Sequence, residues 1–268
     1  MDSRGPGAAE RSIVFAGCAR DCARFLPGVL GNLERFARAA SRSAFVFAEN
    51  GSRDSTRAGL QSWLGARADA HLLHPDGAAI RSPERTVRIA AARNACLAEI
   101  ESGALRGFDL LVMLDFDEVN EAPIPLDAFR AALDFLEEKS GNAAVFACSA
   151  PLYYDVWALR HSDWCPVDVW QEVTSSHEGS YAARVERFVH ARQRGIAADA
   201  PPIPVLSAFG GLGIYRLGAT RGLRYSGLDD AGRACCEHVA FNEAVARAGA
   251  LHIFPALRNH APRGHLRP

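Results

Sequence analysis

The chain has 268 residues, 49% of them hydrophobic, so it is long enough to bury one large core or two small ones and is not a disordered or fibrous protein. Its 30 basic and 31 acidic side chains leave a formal net charge of −1, and arginine is scattered along the chain, which argues against nucleic acid as a partner. Residues 1–11 are predicted to be a flexible tail, because the first ten lack the apolar core of a signal peptide or a membrane span.

Short apolar runs alternate with amphipathic segments through the first half of the chain. In order, the patterns predict a strand at 12–17, a helix at 21–40, a strand at 44–50, a helix around Leu60 to Leu64, a strand at 70–74, a helix at 84–100 and a strand at 109–114. This alternation implies right-handed crossovers and a mostly parallel sheet with helices on both faces. The predicted fold class is therefore α/β and Rossmann-like, an architecture typical of nucleotide binding.

The second half of the chain is less regular. The patterns predict a helix at 126–139, a strand at 143–149, an aromatic-rich segment at 151–170, a helix at 185–193, an extended connector at 200–204, a strand with a glycine bend at 205–216, a helix at 237–248 and a strand at 251–257. No internal repeat or Gly/Ser-rich linker divides the chain. We therefore predict one domain over 12–260 and a second tail over 261–268.

The seven cysteines are an odd number, and several of them lie in apolar surroundings. This usage suits small buried side chains in a reducing cytoplasm better than a disulfide framework, so a cytoplasmic location is predicted. No CxxC pair supports a zinc site. The adjacent Cys235 and Cys236 are interpreted as packing residues, with a redox or metal role as the alternative.

An apolar run ends in three acids at Asp115, Asp117 and Glu118. Side chains alternate along a strand, so Asp115 and Asp117 share a side while Glu118 points away. Carboxylate oxygens suit hard divalent ions, Mn²⁺ or Mg²⁺, which keep positions open for water or phosphate. The alternative is two solvated acids at the end of a strand.

The segment after the second predicted strand holds Glu49, Asn50, Ser52 and Asp54. In a parallel sheet it lies on the same edge as Asp115. Backbone N–H groups at a helix start bind phosphate, and an acid there accepts from a ribose or a base. The alternative is an ordinary helix cap.

Arginines gather on the helix that precedes the Asp115 strand. Arg88 shares a face with Ala92, and Arg93 lies next to it, with Arg85 one turn earlier. Such side chains neutralise phosphate or orient a carboxylate. A plain surface location is the alternative for each.

These motifs, in this order, resemble those of GT-A fold, nucleotide-sugar-dependent glycosyltransferases of family 2. The shared strings are Asn50-Gly-Ser-x-Asp54-x-Thr56, Ala92-Arg93-Asn94 and Leu111-Val-Met-Leu-Asp115-x-Asp117. Longer strings, such as Phe209-Gly210-Gly211-Leu212-Gly-Ile-Tyr215-Arg216, are similar to the capsule-associated mannosyltransferases of family 69. The resemblance covers residues 12–120 and, more loosely, 205–245.

The resemblance implies transfer of a hexose from a nucleoside-diphosphate sugar, GDP-mannose or a UDP-sugar, to a hydroxyl of a glycan or glycolipid acceptor. It implies that residues 12–120 bind the donor and residues 121–260 bind the acceptor. It also implies a protein without a membrane span, for which peripheral association with a membrane stays open. It further implies that Glu49 and Asp54 contact the nucleoside and Arg93 steadies the donor. Asp117 would bind the metal, and Asp115 the ribose, the sugar or the metal.

GT-A enzymes commonly take a further metal ligand from the C-terminal segment. His252 and His260 are the candidates here, and His260 is preferred because it follows the last predicted strand. Gly210 and Gly211 would let the backbone approach the donor sugar, or simply form a bend.

Glu237 begins the helix in which family 2 enzymes carry an acid that acts on the acceptor hydroxyl. In an inverting reaction it would take the acceptor proton, and in a retaining one it would position acceptor or sugar. Asp229 and Asp230 are rivals for this role, and a helix cap is the structural alternative. The aromatic side chains of 151–170 suit stacking on acceptor sugars or ordinary packing.

Two other functions stay open at this point. A nucleotidyltransferase also pairs carboxylates with Mg²⁺, although the sequence lacks a Gly-rich basic signature near its first strand. A non-catalytic nucleotide-sugar-binding module would keep the fold without the reaction.

Overall fold

A computed structural model describes residues 11–266 and contains eight strands and eight α-helices within that range. The strands are β1 (Ser12–Ala19), β2 (Arg42–Glu49), β3 (Ala70–Leu73), β4 (Leu110–Leu114), β5 (Asn142–Ala150), β6 (Ile203–Val205), β7 (Leu212–Arg216) and β8 (Ala250–His260). The helices are α1 (Leu26–Ala37), α2 (Thr56–Leu64), α3 (Arg85–Ser102), α4 (Leu126–Glu138), α5 (Val169–Ser175), α6 (Tyr181–Phe188), α7 (Leu217–Thr220) and α8 (Glu237–Val245).

All eight strands form one sheet in the order β3-β2-β1-β4-β7-β5-β8-β6. The pairs among β3, β2, β1 and β4 are parallel, and so is the pair of β5 with β8. Strand β7 lies antiparallel between β4 and β5, and β6 is antiparallel to β8. The sheet is therefore mostly parallel, and the carboxyl ends of β1, β2, β4, β5 and β8 share one edge.

Successive side chains of the central strands enter two different cores. On β1, Val14 and Ala16 pack on one side of the sheet, while Ile13 and Phe15 pack on the other. Helix α3 covers the first side, and helices α1 and α4 cover the second, where the rings of Phe36 and Phe129 stack 4.1 Å apart. Burial on both faces explains why these strands are continuously apolar.

The helices of the second half differ from those predicted. Helix α6 begins and ends earlier than the predicted 185–193, because the Ser180 hydroxyl accepts from the N–H of Ala183 and caps it; only a 3₁₀ turn follows at His190–Arg192. Helix α5 was not predicted. Its start depends on Asp168, whose carboxylate accepts from the N–H groups of Trp170 and Gln171.

The strands of the second half also differ in their bounds. Within the predicted strand 205–216, Val205 ends strand β6, and regular pairing resumes only at Leu212, because Gly210 and Gly211 have φ of 62° and 82°. Strand β8 is longer than predicted, and its register against β5 shifts between Phe254 and Arg258.

Some sequence predictions meet the structure only in part. Most of the predicted tail 1–11 and the last two residues of the tail 261–268 lie outside the described residues, and the domain bounds stay predictions. All seven cysteines are free thiols. Within residues 11–266, no helix has the length and apolar character needed to cross a bilayer.

Candidate active site

A cleft of about 1880 Å³ opens along the shared carboxyl edge of the strands. Open α/β sheets bind their ligands at this edge. The cleft walls come from the loops after β1, β2 and β4, from α3, from the segment after β5, from α5 and from the start of α8. Side chains from both halves of the chain thus meet in one cavity.

Arg93, on α3, joins two acids that are distant in sequence. Its Nη2 donates to Asp115 Oδ1 at 2.7 Å, and its Nη1 donates to Glu237 Oε1. The guanidinium lies over the rings of Phe209 and Tyr225, 4.9 and 5.6 Å from their centroids. Burial alone would lower the pKa of Arg93, but the charges of Glu237 and Asp115 outweigh it and raise that pKa well above its usual value. One buried cation therefore connects α3, the end of β4 and the start of α8.

Asp117 lies in the cleft beside Asp115 but has no cationic partner at ion-pair distance among the described residues. Its Oδ1 accepts from the N–H of Val119 at 3.1 Å. Burial, followed by the charge of Asp115, raises the pKa of Asp117 to about 7. A second cation in the cleft would stabilise the ionised form of this carboxylate.

The donor set of this part of the cleft fits a hard divalent cation. Asp115 and Asp117 offer carboxylate oxygens, which Mg²⁺ and Mn²⁺ prefer. In the described part of the chain, no three His, Cys, Asp or Glu side chains are grouped to hold a metal by themselves. Such a cation would therefore be completed by substrate oxygens or water, as is usual for Mg²⁺.

Two asparagines hold the backbone next to the acids. Asn120 Nδ2 donates to the carbonyls of Asp115 and Gly211 at 3.0 and 2.8 Å, and the N–H of Asp115 donates to the Gly211 carbonyl at 2.9 Å. Asn259, on β8, donates to the Gly210 carbonyl. The end of β4 and the start of β7 are therefore held together by buried amide groups.

This packing requires glycine at positions 210 and 211, and so does the positive φ of each residue. A Cβ on Gly210 would lie 2.5 Å from the Ala147 carbonyl oxygen, and one on Gly211 would lie 2.6 Å from a methyl of Val119. Neither glycine lines the cleft. Their predicted contact with a donor sugar stays a prediction.

The predicted nucleoside-binding acids brace their own loops. The Glu49 carboxylate is buried; it accepts from the Ser52 N–H and from Arg57 Nε at 2.8 Å, and His74 Nδ1 lies 3.3 Å away. Burial opposes its ionisation, but the bonds from Ser52 and Arg57 prevail and lower the pKa of Glu49. Of the four residues predicted here, Glu49, Ser52 and Asp54 do not line the cleft, whereas Asn50 does.

The loops after β1 and β2 are tied together by Ser52 and Asp54. Ser52 Oγ accepts from the Asp21 N–H at 3.0 Å, and Asp54 accepts from the N–H groups of Ala23 and Thr56 at 3.0 and 2.9 Å. These bonds shape the end of the cleft that Asn50 lines.

Among the arginines predicted to bind the donor, Arg88 lines the cleft beside Arg93. Its Nη1 donates to the carbonyls of Ser82 and Pro83 at 2.6 and 2.7 Å. Arg85 also lines the cleft, is exposed, and its charge reaches Asp117. The structure thus brings several cations to the mouth of the acidic site.

The histidines predicted as metal ligands lie away from the cleft lining. His260 is exposed at the end of β8, and His252 packs edge-on against Phe135 with ring centroids 5.1 Å apart. Burial and the charge of Lys139 lower the pKa of His252. His265, within the predicted tail, does line the cleft, where its ring packs near Tyr154.

Glu237 lines the cleft, while its rivals Asp229 and Asp230 do not. Asp229 instead accepts from Arg233, both from its N–H at 2.8 Å and from its Nε at 2.9 Å. Of the three acids, Glu237 alone therefore has a place next to Asp115 and Arg93.

Two further residues, Asp155 and His238, line the cleft and were not predicted from the sequence as site residues. Asp155 Oδ2 accepts from the Gly210 N–H at 2.9 Å, and burial raises the pKa of Asp155 to about 6. The ring of His238 stacks on Phe209 at 3.6 Å and is buried, with no hydrogen-bond partner for either nitrogen. Burial and the charge of Arg93 lower the pKa of His238 well below its usual value. Asp155 lies in the segment after buried strand β5, five residues beyond its last residue Ala150, whereas Asp115 directly follows β4.

The aromatic segment divides between the core and the cleft. Tyr153 and Trp164 are buried and pack together, whereas Tyr154, Trp157 and Trp170 line the cleft. Trp157 Nε1 donates to Asp168 Oδ2 at 3.0 Å.

Solved structures of glycosyltransferases share this fold. The mannosyltransferase PcManGT from Pyrobaculum calidifontis, in complex with GDP-Man and Mn²⁺, matches with a TM-score of 0.56 and 14% identity, over 98% of this chain and 61% of that one. TarS 1-349 of S. aureus, in complex with UDP-GlcNAc, matches with a TM-score of 0.51 and 11% identity, over 94% and 58%. Glucosyl-3-phosphoglycerate synthase from Mycobacterium tuberculosis, in complex with Mn²⁺, UDP and phosphoglyceric acid, matches with a TM-score of 0.51 and 12% identity, over 94% and 74%.

At these identities the likeness establishes the fold, and it confirms the predicted class: an α/β, mostly parallel sheet flanked by helices, as in GT-A glycosyltransferases. The chain spans about three fifths of the length of the first two proteins. No protein-family model matches the chain, and no curated protein is significantly similar to it in sequence. The narrower likeness to family 69 stays a prediction.

Proposed function

We propose that this protein is a metal-dependent glycosyltransferase that moves a hexose from a nucleoside-diphosphate sugar to a hydroxyl of a glycan or glycolipid acceptor. One observation carries the proposal. Two neighbouring carboxylates, Asp115 and Asp117, lie in a large cleft at the sheet edge, and Asp117 has no cation at ion-pair distance among the described residues. That arrangement suits a diphosphate bound through a divalent metal. The metal would bring positive charge to the two acids and offset the negative charge of the donor's diphosphate.

In this proposal the donor extends along the sheet edge. Asn50 and the loop after β2 receive the nucleoside, and Asp115 with Asp117 hold Mn²⁺ or Mg²⁺. When bound, the metal offsets the negative charge that the departing nucleoside diphosphate gains as the glycosidic bond breaks. Arg85 and Arg88 lie where they add positive charge for the diphosphate. GDP-mannose is our first choice of donor, supported by the mannosyltransferase of the same fold, and a UDP-sugar is the second.

Arg93 orients the acids in this scheme. It holds one oxygen of Asp115 and one of Glu237, so it sets the direction in which both carboxylates present their other oxygen. Because Arg93 is buried against two aromatic rings and balanced by two acids, it is a positioning residue and remains charged throughout.

Glu237 is our candidate for the group that meets the acceptor hydroxyl. It takes the acceptor proton in an inverting reaction, or positions the acceptor in a retaining one. Tyr154, Trp157 and Trp170 line the same cleft and offer ring faces to an acceptor sugar. The seven free thiols support our inference that the protein works in the reducing cytoplasm.

The test is a thermal-shift panel of GDP, UDP and their sugars, each with and without Mn²⁺. A ligand that binds the folded state raises the melting temperature, so we expect a Mn²⁺-dependent increase with at least one nucleotide. No shift with any nucleotide in either condition would refute the donor site. Normal binding without hydrolysis or transfer would instead favour a non-catalytic module.

Glu237→Gln tests the catalytic assignment separately. Glutamine keeps the shape and an oxygen for Arg93 but loses the basic carboxylate, so we expect nucleotide binding within about twofold of wild type and a loss of transfer of about 100-fold or more. Full transfer activity in the folded variant would remove Glu237 from the mechanism.

A further inference from the structure

Asp155 is connected to Asp115 through two residues of backbone. The N–H of Asp115 donates to the Gly211 carbonyl at 2.9 Å, and the N–H of Gly210 donates to Asp155 Oδ2 at 2.9 Å. Gly210 and Gly211 form the entry to β7, which lies between β4 and β5 in the sheet. Neighbouring strands are about 4.8 Å apart, so β5 lies about 10 Å from β4, with β7 between them.

The surroundings of Asp155 leave it without a compensating charge. The acids that face it are Asp115 from the end of β4 and Glu237 from α8, and both are already bonded to Arg93. The other titratable groups near it are neutral: Tyr153, Tyr154 and Cys236. No ion pair to Asp155 occurs between residues 11 and 266.

Backbone N–H groups satisfy only part of the hydrogen-bonding capacity of the Asp155 carboxylate. Besides the Gly210 N–H, the Ala158 N–H donates to Oδ1 at a long 3.4 Å. A half-buried carboxylate that lines a cleft and lacks a cation is suited to accept hydrogen bonds from neutral hydroxyl groups.

We propose that Asp155 recognises the transferred sugar by accepting hydrogen bonds from hydroxyls of the hexose ring. This inference rests on the proposed function and adds to it a residue that selects the donor sugar. The order along the sheet edge supports it: nucleoside at β1 and β2, diphosphate at the end of β4, and sugar beside β7 and β5. The aromatic side chains Trp157 and Trp170 then remain for the acceptor.

The experiment compares each nucleotide sugar with its own nucleotide. Isothermal titration in the presence of Mn²⁺ measures the affinities of GDP and GDP-mannose, and of UDP and UDP-glucose, for wild type and for Asp155→Asn. Asparagine keeps an oxygen for the Gly210 N–H but loses the charge. Asp163→Asn is the control, because Asp163 is exposed in the same half of the chain and does not line the cleft.

Hydrogen bonds to a charged group change affinity by about ten- to a hundredfold. For the preferred pair, we expect Asp155→Asn to lose about that factor in affinity for the nucleotide sugar, with the affinity for the nucleotide alone within twofold of wild type. Asp163→Asn should match wild type for both. Unchanged affinity for the nucleotide sugar, or equal losses for nucleotide and nucleotide sugar, would overturn the assignment.

Deoxy analogues of the preferred donor test the same contact on the wild-type protein. At least one deoxy-sugar nucleotide should bind wild type about tenfold more weakly than its parent, and Asp155→Asn should bind the two equally. Equal affinity of wild type for every deoxy analogue would refute the proposal even if the variant failed to fold. If wild type bound no nucleotide at all, the proposed function itself would fail, which is a different result from nucleotide binding without sugar discrimination.

Discussion

Arg93 shows how one buried cation stabilises two acids that would otherwise repel each other. Its side chain is 3% exposed, and its partners Asp115 and Glu237 lie just after the end of β4 and at the start of α8. Removing one member of a buried charge cluster leaves the others uncompensated, which costs more than the net worth of the interaction itself.

We therefore expect Arg93→Met, which keeps much of the volume, to lower the free energy of unfolding by about 3–5 kcal/mol. Urea denaturation measures this change. The control is Arg130→Met on α4, where Arg130 is half-exposed and lies 3.8 Å from exposed Asp127. A surface pair of this kind contributes about 0–1 kcal/mol, so equal effects of the two substitutions would contradict our account of Arg93.

Asp155 makes the stability of the ligand-free protein depend on pH. Its pKa is raised from 3.8 to about 6 in the folded state, so the contribution of Asp155 to stability is fully present below about pH 4 and is lost as pH rises through 6. We expect Asp155→Asn to be more stable than wild type at pH 8, by roughly 2 kcal/mol, and equal to it near pH 4. Melting temperatures across this range check the effect, and parallel curves for wild type and variant would contradict it.

At the scale of elements, the entry to β7 is the most constrained turn of the cleft edge. Gly210 combines a φ of 62° with a Cβ position 2.5 Å from a backbone oxygen of Ala147. Gly218, in helix α7, has nothing within 4 Å of its Cβ position and no positive φ.

Gly210→Ala is therefore expected to destabilise the protein by about 2 kcal/mol or more, because strain and steric overlap add. Gly218→Ala should be neutral or slightly stabilising, since alanine favours the helix. Chemical denaturation of the two variants gives the comparison. A Gly210→Ala protein as stable as the Gly218→Ala protein would show that the turn can shift without cost.

Sequence patterns predicted the elements whose hydrogen bonds form between nearby residues or whose burial repeats regularly along the chain. Strands β1, β2 and β4 were predicted because both of their faces are buried, which makes them continuously apolar. Helix α5 was missed because its start depends on Asp168, which also binds Trp157 and Arg160 in a tertiary cluster. The insertion of antiparallel β7 between β4 and β5 depends on non-local pairing, which periodicity does not encode.

The candidate site was predictable to a similar extent. Asp115, Asp117 and Asn50 follow buried strands, and the sheet brings them to one cleft, as expected. The partners of Glu49 were not predictable, because Arg57 and His74 reach its carboxylate from separate elements. Asp155 lies five residues beyond the end of β5, and its bond to Gly210 appears only in the folded chain.

At the scale of the whole molecule, ligand binding should appear as a change in global stability. A nucleotide at 100 times its dissociation constant adds about 2.7 kcal/mol to the free energy of unfolding. We expect the Mn²⁺-dependent part of that gain to vanish in Asp117→Asn, while any metal-independent part persists.

The control for this measurement is the neighbouring acid Glu118, which lies outside the cleft lining. Glu118→Gln should keep the full Mn²⁺-dependent increase in melting temperature. An Asp117→Asn protein that responds to Mn²⁺ and nucleotide like wild type would exclude Asp117 as a metal ligand.

The backbone bridge formed by Gly210 and Gly211 has an evolutionary consequence. Its bond to Asp115 joins main-chain atoms only, so the position of the Asp115 backbone does not depend on which side chains the loop after β5 presents. On our proposal, substitutions in this loop change the preferred sugar while the diphosphate site keeps its geometry. Donor preference can thus diverge among relatives by changes in a single loop, without rebuilding the part of the site that every nucleotide sugar shares.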